Sequence, residues 1–151
     1  MIKVLFVCYG NICRSPMAEF VFKDMVKKNR LEKEFYIVSS ATSREEIGNP
    51  VHYGTRNKLR EYGISVEGKY AIQLCKADDN KYDYIIGMEQ RNVTNIYKII
   101  GQANKSKVCR LLDFSDHPRD IADPWYTGDF DKTYQDVYEG CQALLQICIQ
   151  S

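Results

Sequence analysis

The feature that most constrains this chain is a regular alternation of short apolar runs with segments of helical periodicity. Val4-Leu5-Phe6-Val7 is continuously apolar and rich in β-branched and aromatic residues. That is the pattern of a strand buried on both faces in a parallel sheet. The run stops at Tyr9-Gly10-Asn11. Ser15-Pro16 then opens a helix, with Ser suited to the N-cap and Pro to the first helical position. Met17, Phe20, Val21 and Met25 follow at helical spacing, and Lys27-Lys28 suit its last turn. Further strands are expected over 35–38, 82–88 and 108–112. Helices are expected over 52–62, closed by Gly63, over 91–100, ending at Gly101, and from Asp131 onward. In the last, Val137, Cys141, Leu144 and Cys148 fall on one face. Residues 115–130 are polar, carry two Pro and a Gly, and read as a long loop. Strands alternating with helices predict an α/β chain whose parallel sheet is covered on both sides. Such sheets bind ligands at the carboxyl ends of their strands, so chemistry is expected in the loops after the first, second and fourth.

Composition narrows the class. A length of 151 residues suits one domain with an adequate core. The 21 Lys+Arg against 20 Asp+Glu give a net charge of +1. That balance argues against nucleic acid or an anionic membrane as the main partner, while leaving room for a local basic pocket. Hydrophobic content of 44% and charged content of 27% are those of a globular chain. The N-terminal apolar run is too short for a secretory leader, and no stretch approaches the length of a membrane helix. A cytoplasmic location is therefore expected, with the six Cys reduced. Each is then a packing residue, a metal ligand or a nucleophile.

Cys8-Tyr9-Gly10-Asn11-Ile12-Cys13-Arg14-Ser15-Pro16 is the most informative segment. A loop of backbone N–H groups curled ahead of a helix N-terminus makes an anion site. Gly10 and Asn11 tolerate the left-handed angles that turn successive N–H groups inward. Arg14 offers a planar fork for two oxygens of a tetrahedral anion. The same positive field favours the thiolate of Cys8, which would sit beneath a bound phosphate as a nucleophile aimed at phosphorus. Ser15 is placed to donate its hydroxyl to that sulfur.

These nine residues, with Met17-Ala18-Glu19, resemble the signature of the low-molecular-weight protein tyrosine phosphatase family. There a Cys is followed, after five residues, by an Arg and then Ser-Pro. Expulsion of an alkoxide or phenoxide also needs a general acid, and the loop contains none. Asp123, in Ala122-Asp123-Pro124-Trp125-Tyr126, is the best candidate on chemistry, with Asp113, Asp116 and Asp120 as competitors. The family keeps its acid in an Asp-Pro pair at this chain position, followed by aromatics. Ser40-Ala41-Thr42-Ser43, Ile47-Gly48-Asn49-Pro50 and Asp83-Tyr84-Ile85-Ile86 with Met88 and Asn92 extend the likeness over the whole chain.

The resemblance implies the family fold: a single three-layer domain over residues 1–151, with a four-stranded parallel sheet flanked by helices on both faces. It implies hydrolysis of phosphate monoesters through a cysteinyl-phosphate, with Cys8 as nucleophile, Arg14 as phosphate clamp and Asp123 as general acid and then base. Tyr9, Gly10, Asn11, Ile12, Cys13 and Ser15 would line the phosphate site. Trp125, Tyr126 and Glu45 would wall a slot for the substrate's ring. No metal and no organic cofactor is needed. The expected partners are phosphotyrosine proteins or small aryl phosphates, with inorganic phosphate as product, and the expected state is a monomer or weak dimer. Cys13 has family precedent as a reversible disulfide partner of Cys8. Cys75, Cys109, Cys141 and Cys148 lack metal-site spacing; Cys141 and Cys148 read as packing. His52 and His117 read as surface residues or as helix and loop partners.

Three positions depart from the pattern. Glu45 stands where the family often has an aromatic wall residue, giving an acidic rim that favours basic flanking residues. Lys69 stands near a His that supports the phosphate loop, and Glu89 replaces the usual Asp. Three other functions fit less well. A thiol-dependent arsenate reductase needs a relay of resolving cysteines, and Cys75 has no close second Cys after it. The phosphoarginine phosphatase branch carries Thr where this chain has Ile12. A phosphopeptide-binding module would need neither nucleophile nor acid.

Overall fold

The N-terminal apolar run forms an interior strand. In the computed structural model, which describes residues 1–101 and 107–150, β1 (Ile2–Cys8) pairs in parallel with β2 (Phe35–Ala41) on one side and β3 (Tyr84–Gly87) on the other. β4 (Val108–Arg110) extends β3, giving the parallel order β2-β1-β3-β4. Alternate β1 side chains separate two cores. Val4, Phe6 and Cys8 face Met17 and Phe22 of α1 (Arg14–Lys28) and Val137 and Leu144 of α5 (Phe130–Gln150). Leu5 and Val7 face Val93, Ile96 and Ile100 of α3 (Gln90–Ile100). Helices therefore cover both faces, as the continuous apolar run of β1 requires. Phe6, Phe22 and Phe35 meet edge to face, with centroids 5.8 and 5.5 Å apart. Each such buried ring stabilises the fold by about 1.5–3 kcal/mol.

Several boundaries differ from the sequence reading, each for a local reason. α1 begins at Arg14, with Cys13 at the N-cap position and no side-chain cap. Ser15 is inside the helix because its hydroxyl is engaged with Cys8 instead. β3 is shorter than 82–88. The Asp83 side chain accepts from Lys3 N (2.8 Å), and Met88 N–H turns to the Asn92 side chain (2.9 Å) that caps α3. Leu111 and Leu112 are not strand. Arg110 N–H donates to the Asp113 carboxylate (2.8 Å), which folds 111–114 into a 3-10 turn that buries both leucines. α2 (Tyr53–Arg60) is capped by His52, whose Nδ1 accepts from Gly54 N (3.0 Å). The expected loop over 115–130 contains one helical turn, α4 (Pro124–Thr127), capped by Asp123 and closed by Gly128 at φ 72°.

β1 and β3 are neighbours, yet the helices that follow them lie on opposite faces. This opens a crevice at their carboxyl ends. The loop after β1 and Glu89 after β3 face one another across it. Ile121 N–H donates to Met88 O (2.9 Å), which fastens the segment carrying Asp123 to the end of β3.

Candidate active site

The 8–15 loop is wound around the Cys8 sulfur. Asn11 adopts φ 59°, the left-handed angle the sequence anticipated, whereas Gly10, expected to share it, does not have a positive φ. Its N–H donates to Cys8 Sγ (3.3 Å), as does Ser15 N–H at a longer 3.5 Å. Ser15 Oγ lies 3.0 Å from the sulfur. Asn11 Nδ2 donates to Ser15 Oγ (2.8 Å), which leaves the hydroxyl hydrogen for Cys8 Sγ at 3.0 Å, with Ser40 O farther off at 3.5 Å. Three hydrogen-bonding groups thus converge on one sulfur. Asn11 is buried and fully used. Its amide also donates to Ser39 Oγ (2.9 Å) and its carbonyl accepts from Ile72 N (3.1 Å), tying the loop to β2 and to the 70–73 segment.

Arg14 is 2% exposed. One guanidinium nitrogen meets Glu89 Oε2 at 2.5 Å and Ile121 O at 2.8 Å; the other meets Asp123 Oδ2 at 3.3 Å. Burial opposes the cation, but the charges of Cys8, Asp123 and Glu89 outweigh it and hold its pKa above the ordinary arginine value. Asp123 Oδ1 accepts from Trp125 N–H (3.0 Å), so one carboxylate oxygen is fixed by α4 and the other faces the arginine. Of the competing acids, none lines the cleft, and two are paired elsewhere. Asp113 pairs with Arg110, and Asp120 accepts from Arg110 and from Gln90 N–H.

A cleft of about 130 Å³ opens over the sulfur. Arg14 and Asp123 lie on it, Ile12 and Cys13 line it, and Tyr9, Trp125 and Tyr126 stand at its exposed edge with Glu45 and Glu46. Every site residue expected from the sequence is thus in or around one cleft except Asn11 and Ser15, which lie beneath it. A larger groove of about 550 Å³, between α2 and residues 63–70, has no cysteine on its lining. Burial first, then the charges of Cys8 and Asp123, push the Cys13 thiol up to about 12. Cys8 and Cys13 are both free thiols. Among the described residues, no group of three or more His, Cys, Asp or Glu is placed to hold a metal ion.

Sequence reasoning noted Glu89 and Lys69 as substitutions but gave them no role. Glu89 is the closest partner of Arg14. Lys69 Nζ donates to Ser39 O (2.7 Å) and lies 3.6 Å from Glu19 Oε1, which accepts from Ser39 Oγ (2.6 Å). A buried charged pair therefore stands behind Ser39, Asn11 and the loop. Glu46 was missed entirely; it packs over Gly10, where an added Cβ would come within 3.3 Å of its Cγ.

Residues 3–150 match the family described as "Low molecular weight phosphotyrosine protein phosphatase". "Low molecular weight protein-tyrosine-phosphatase YfkJ" of Bacillus subtilis is 44% identical over 147 residues, 96% of this chain and 94% of the relative. The crystal structure of that Bacillus protein gives a TM-score of 0.97 at 42% identity, covering 99% of this chain and 96% of the other. The crystal structure of a drosophila arginine phosphatase gives 0.88 at 27% identity, covering 96% of each chain.

Proposed function

Because the chain belongs to the low molecular weight phosphotyrosine protein phosphatase family and is a protein-tyrosine-phosphatase, we propose that Cys8 is its nucleophile, Arg14 its phosphate clamp and Asp123 its general acid and base. The observation that carries this assignment is the convergence of Ser15 Oγ and Asn11 N–H on Cys8 Sγ, in the cleft where Arg14 meets Asp123. The Cys8 thiolate attacks phosphorus, the ester P–O bond breaks, and Asp123 protonates the departing oxygen. A water then attacks the cysteinyl-phosphate, gives its proton to Asp123, and releases inorganic phosphate and the thiolate. Arg14 and the loop N–H groups balance the oxygens' charge in both steps. A phosphoryl group seated on Arg14 competes for the guanidinium N–H that Asp123 Oδ2 accepts at 3.3 Å, which leaves the carboxyl available for proton transfer.

The substrates we infer are phosphotyrosine proteins and small aryl phosphates. Ile12 gives the cleft an apolar side, against which the phenyl ring of a phosphotyrosine can lie beneath the aromatic edges of Trp125 and Tyr126. Six free thiols support a reducing, cytoplasmic setting, and no helix among the described residues is long and apolar enough to cross a membrane. We place the enzyme there as a single catalytic domain, acting as a monomer or weak dimer. The test is hydrolysis of p-nitrophenyl phosphate by wild type, Cys8→Ser and Asp123→Ala. Cys8→Ser is expected to be inactive and Asp123→Ala slowed by about 10²- to 10⁴-fold. Full activity of Cys8→Ser overturns the mechanism. Equal rates on phosphotyrosine, phosphoserine and phosphoarginine peptides overturn the aromatic slot.

A further inference from the structure

The cleft that receives a dianion is itself rich in negative charge. Among the described residues, Arg14 is the one cation on its lining, against the carboxylates of Glu45, Glu46 and Asp123. Arg14 is already engaged by Glu89 and Asp123. Arg44 keeps its charge but is off the cleft lining, with Nε donating to Gln73 Oε1 (3.1 Å), and Lys69 is likewise off it, donating to Ser39 O (2.7 Å) and paired with Glu19 (3.6 Å). Burial, with the charge of Arg56, holds the His52 imidazole below its ordinary pKa, so it is neutral at pH 7. Loop N–H groups stabilise phosphate at contact, but they do not offset repulsion of the approaching substrate at longer range. Two rim carboxylates are therefore a liability unless the substrate brings its own positive charge.

The rim also has the surface such a charge prefers. Trp125 and Tyr126 are exposed aromatic rings, the latter 85% exposed, beside the acidic edge. A guanidinium stacks on such faces and forks onto a carboxylate. Glu45 shares the cleft mouth with Tyr9, and its N–H donates to Ser43 Oγ (3.4 Å). Glu46 is anchored over Gly10 and accepts from Asn49 Nδ2 (2.5 Å).

We infer that Glu45 and Glu46 determine specificity, selecting phosphotyrosines that have an arginine or lysine beside them in the chain. This rests on the phosphatase reading above. The experiment compares kcat/KM for three matched phosphotyrosine peptides with Arg, Gln or Glu at the flanking positions, at low and high salt. At low salt the order is Arg over Gln over Glu, with about threefold at each step, the scale of exposed charge pairs. Added salt lowers the Arg rate, raises the Glu rate and brings the three together. In the Glu45→Gln/Glu46→Gln variant the Arg-to-Glu ratio collapses toward one, each rate being normalised to that variant's hydrolysis of p-nitrophenyl phosphate. A wild type that hydrolyses p-nitrophenyl phosphate but treats the three peptides alike overturns the inference and leaves the phosphatase reading intact. So does a preference for Arg that survives in the double variant. A wild type inactive on every substrate overturns the reading beneath it.

Discussion

Arg14 must bind a tetrahedral anion while buried among carboxylates, and its geometry depends on Glu89. A buried guanidinium keeps its direction only if its N–H groups are satisfied, and Glu89 Oε2 at 2.5 Å with Ile121 O at 2.8 Å does this on one nitrogen. Glu89→Gln keeps an acceptor but removes the charge. It is expected to lower kcat/KM on p-nitrophenyl phosphate by about tenfold, the scale of one charge-assisted hydrogen bond, and steady-state kinetics checks it. Cys8 and Arg14 were legible because they lie in one contiguous motif, and Asp123 because Asp-Pro-Trp-Tyr is distinctive. Glu89 was not, because its meaning is a contact across 75 residues that exists only once β1 and β3 are paired. Cys13 allows a prediction about pH. A thiol pushed up to about 12 stays protonated, and so unreactive, until the pH nears that value. Cys109 is likewise pushed up to about 12, chiefly by burial. Iodoacetamide at pH 7 is therefore expected to modify Cys8 and the exposed Cys75 while sparing Cys13 and Cys109, with inorganic phosphate protecting Cys8. Peptide mass spectrometry reads this directly, and early labelling of Cys13 contradicts it.

At the scale of elements, His52 joins three pieces of chain. Its Nδ1 caps α2, and its ring stacks on Phe130 at the start of α5 (5.5 Å) and meets Trp125 of α4 edge-on (5.4 Å). The sequence marked it as a helix or loop partner, and it is one. The aromatic cluster was not legible, since its members are distant in sequence and α4 itself was read as loop. Four residues are too few for periodicity to register, and only the Asp123 cap with Pro124 behind it signals the turn. Burial, then Arg56, lowers the His52 pKa. Between that lowered value and about 6.5, the unfolded chain binds more protons than the folded one. Stability is then full above about pH 6.5 and is lost as the pH falls through that window, where protonation of Nδ1 would also remove the cap. Thermal melts between pH 8 and 5 should show this slope, and His52→Asn, which keeps a capping acceptor, should flatten it. His52→Ala should cost about 1 kcal/mol at pH 8. An unchanged slope in His52→Asn would assign the acid sensitivity to other groups.

Across the whole molecule, the reactive loop is held from behind by charge as well as by packing. Strand count, parallel sense and the two apolar faces were all legible, because burial on both sides of a sheet leaves a periodic record in sequence. The Lys69–Glu19 pairing leaves none: Glu19 follows the signature and Lys69 stands near the family's supporting His, but nothing in the sequence says that two residues 50 apart meet. Yet both side chains are under a tenth exposed. Burial lowers the Lys69 pKa and Glu19 opposes that shift, while Glu19 is also paired with the more exposed Lys23 at 2.5 Å. Removing one member of such a pair strands the other, whereas removing both need not be costly. Lys69→Met at pH 7 also leaves Ser39 O without its donor, and is expected to destabilise by about 3 kcal/mol, with Glu19→Gln costing less because Gln still accepts from Ser39. The two changes together should cost less than their sum by at least about 0.5 kcal/mol, the coupling that contacting residues show. Urea unfolding of the four proteins closes this cycle. Since Ser39 Oγ receives the Asn11 amide that also orients Ser15, Lys69→Met should lower kcat on p-nitrophenyl phosphate in the still-folded protein. Strict additivity, with kcat unchanged, would mean that the loop holds its shape without this pair.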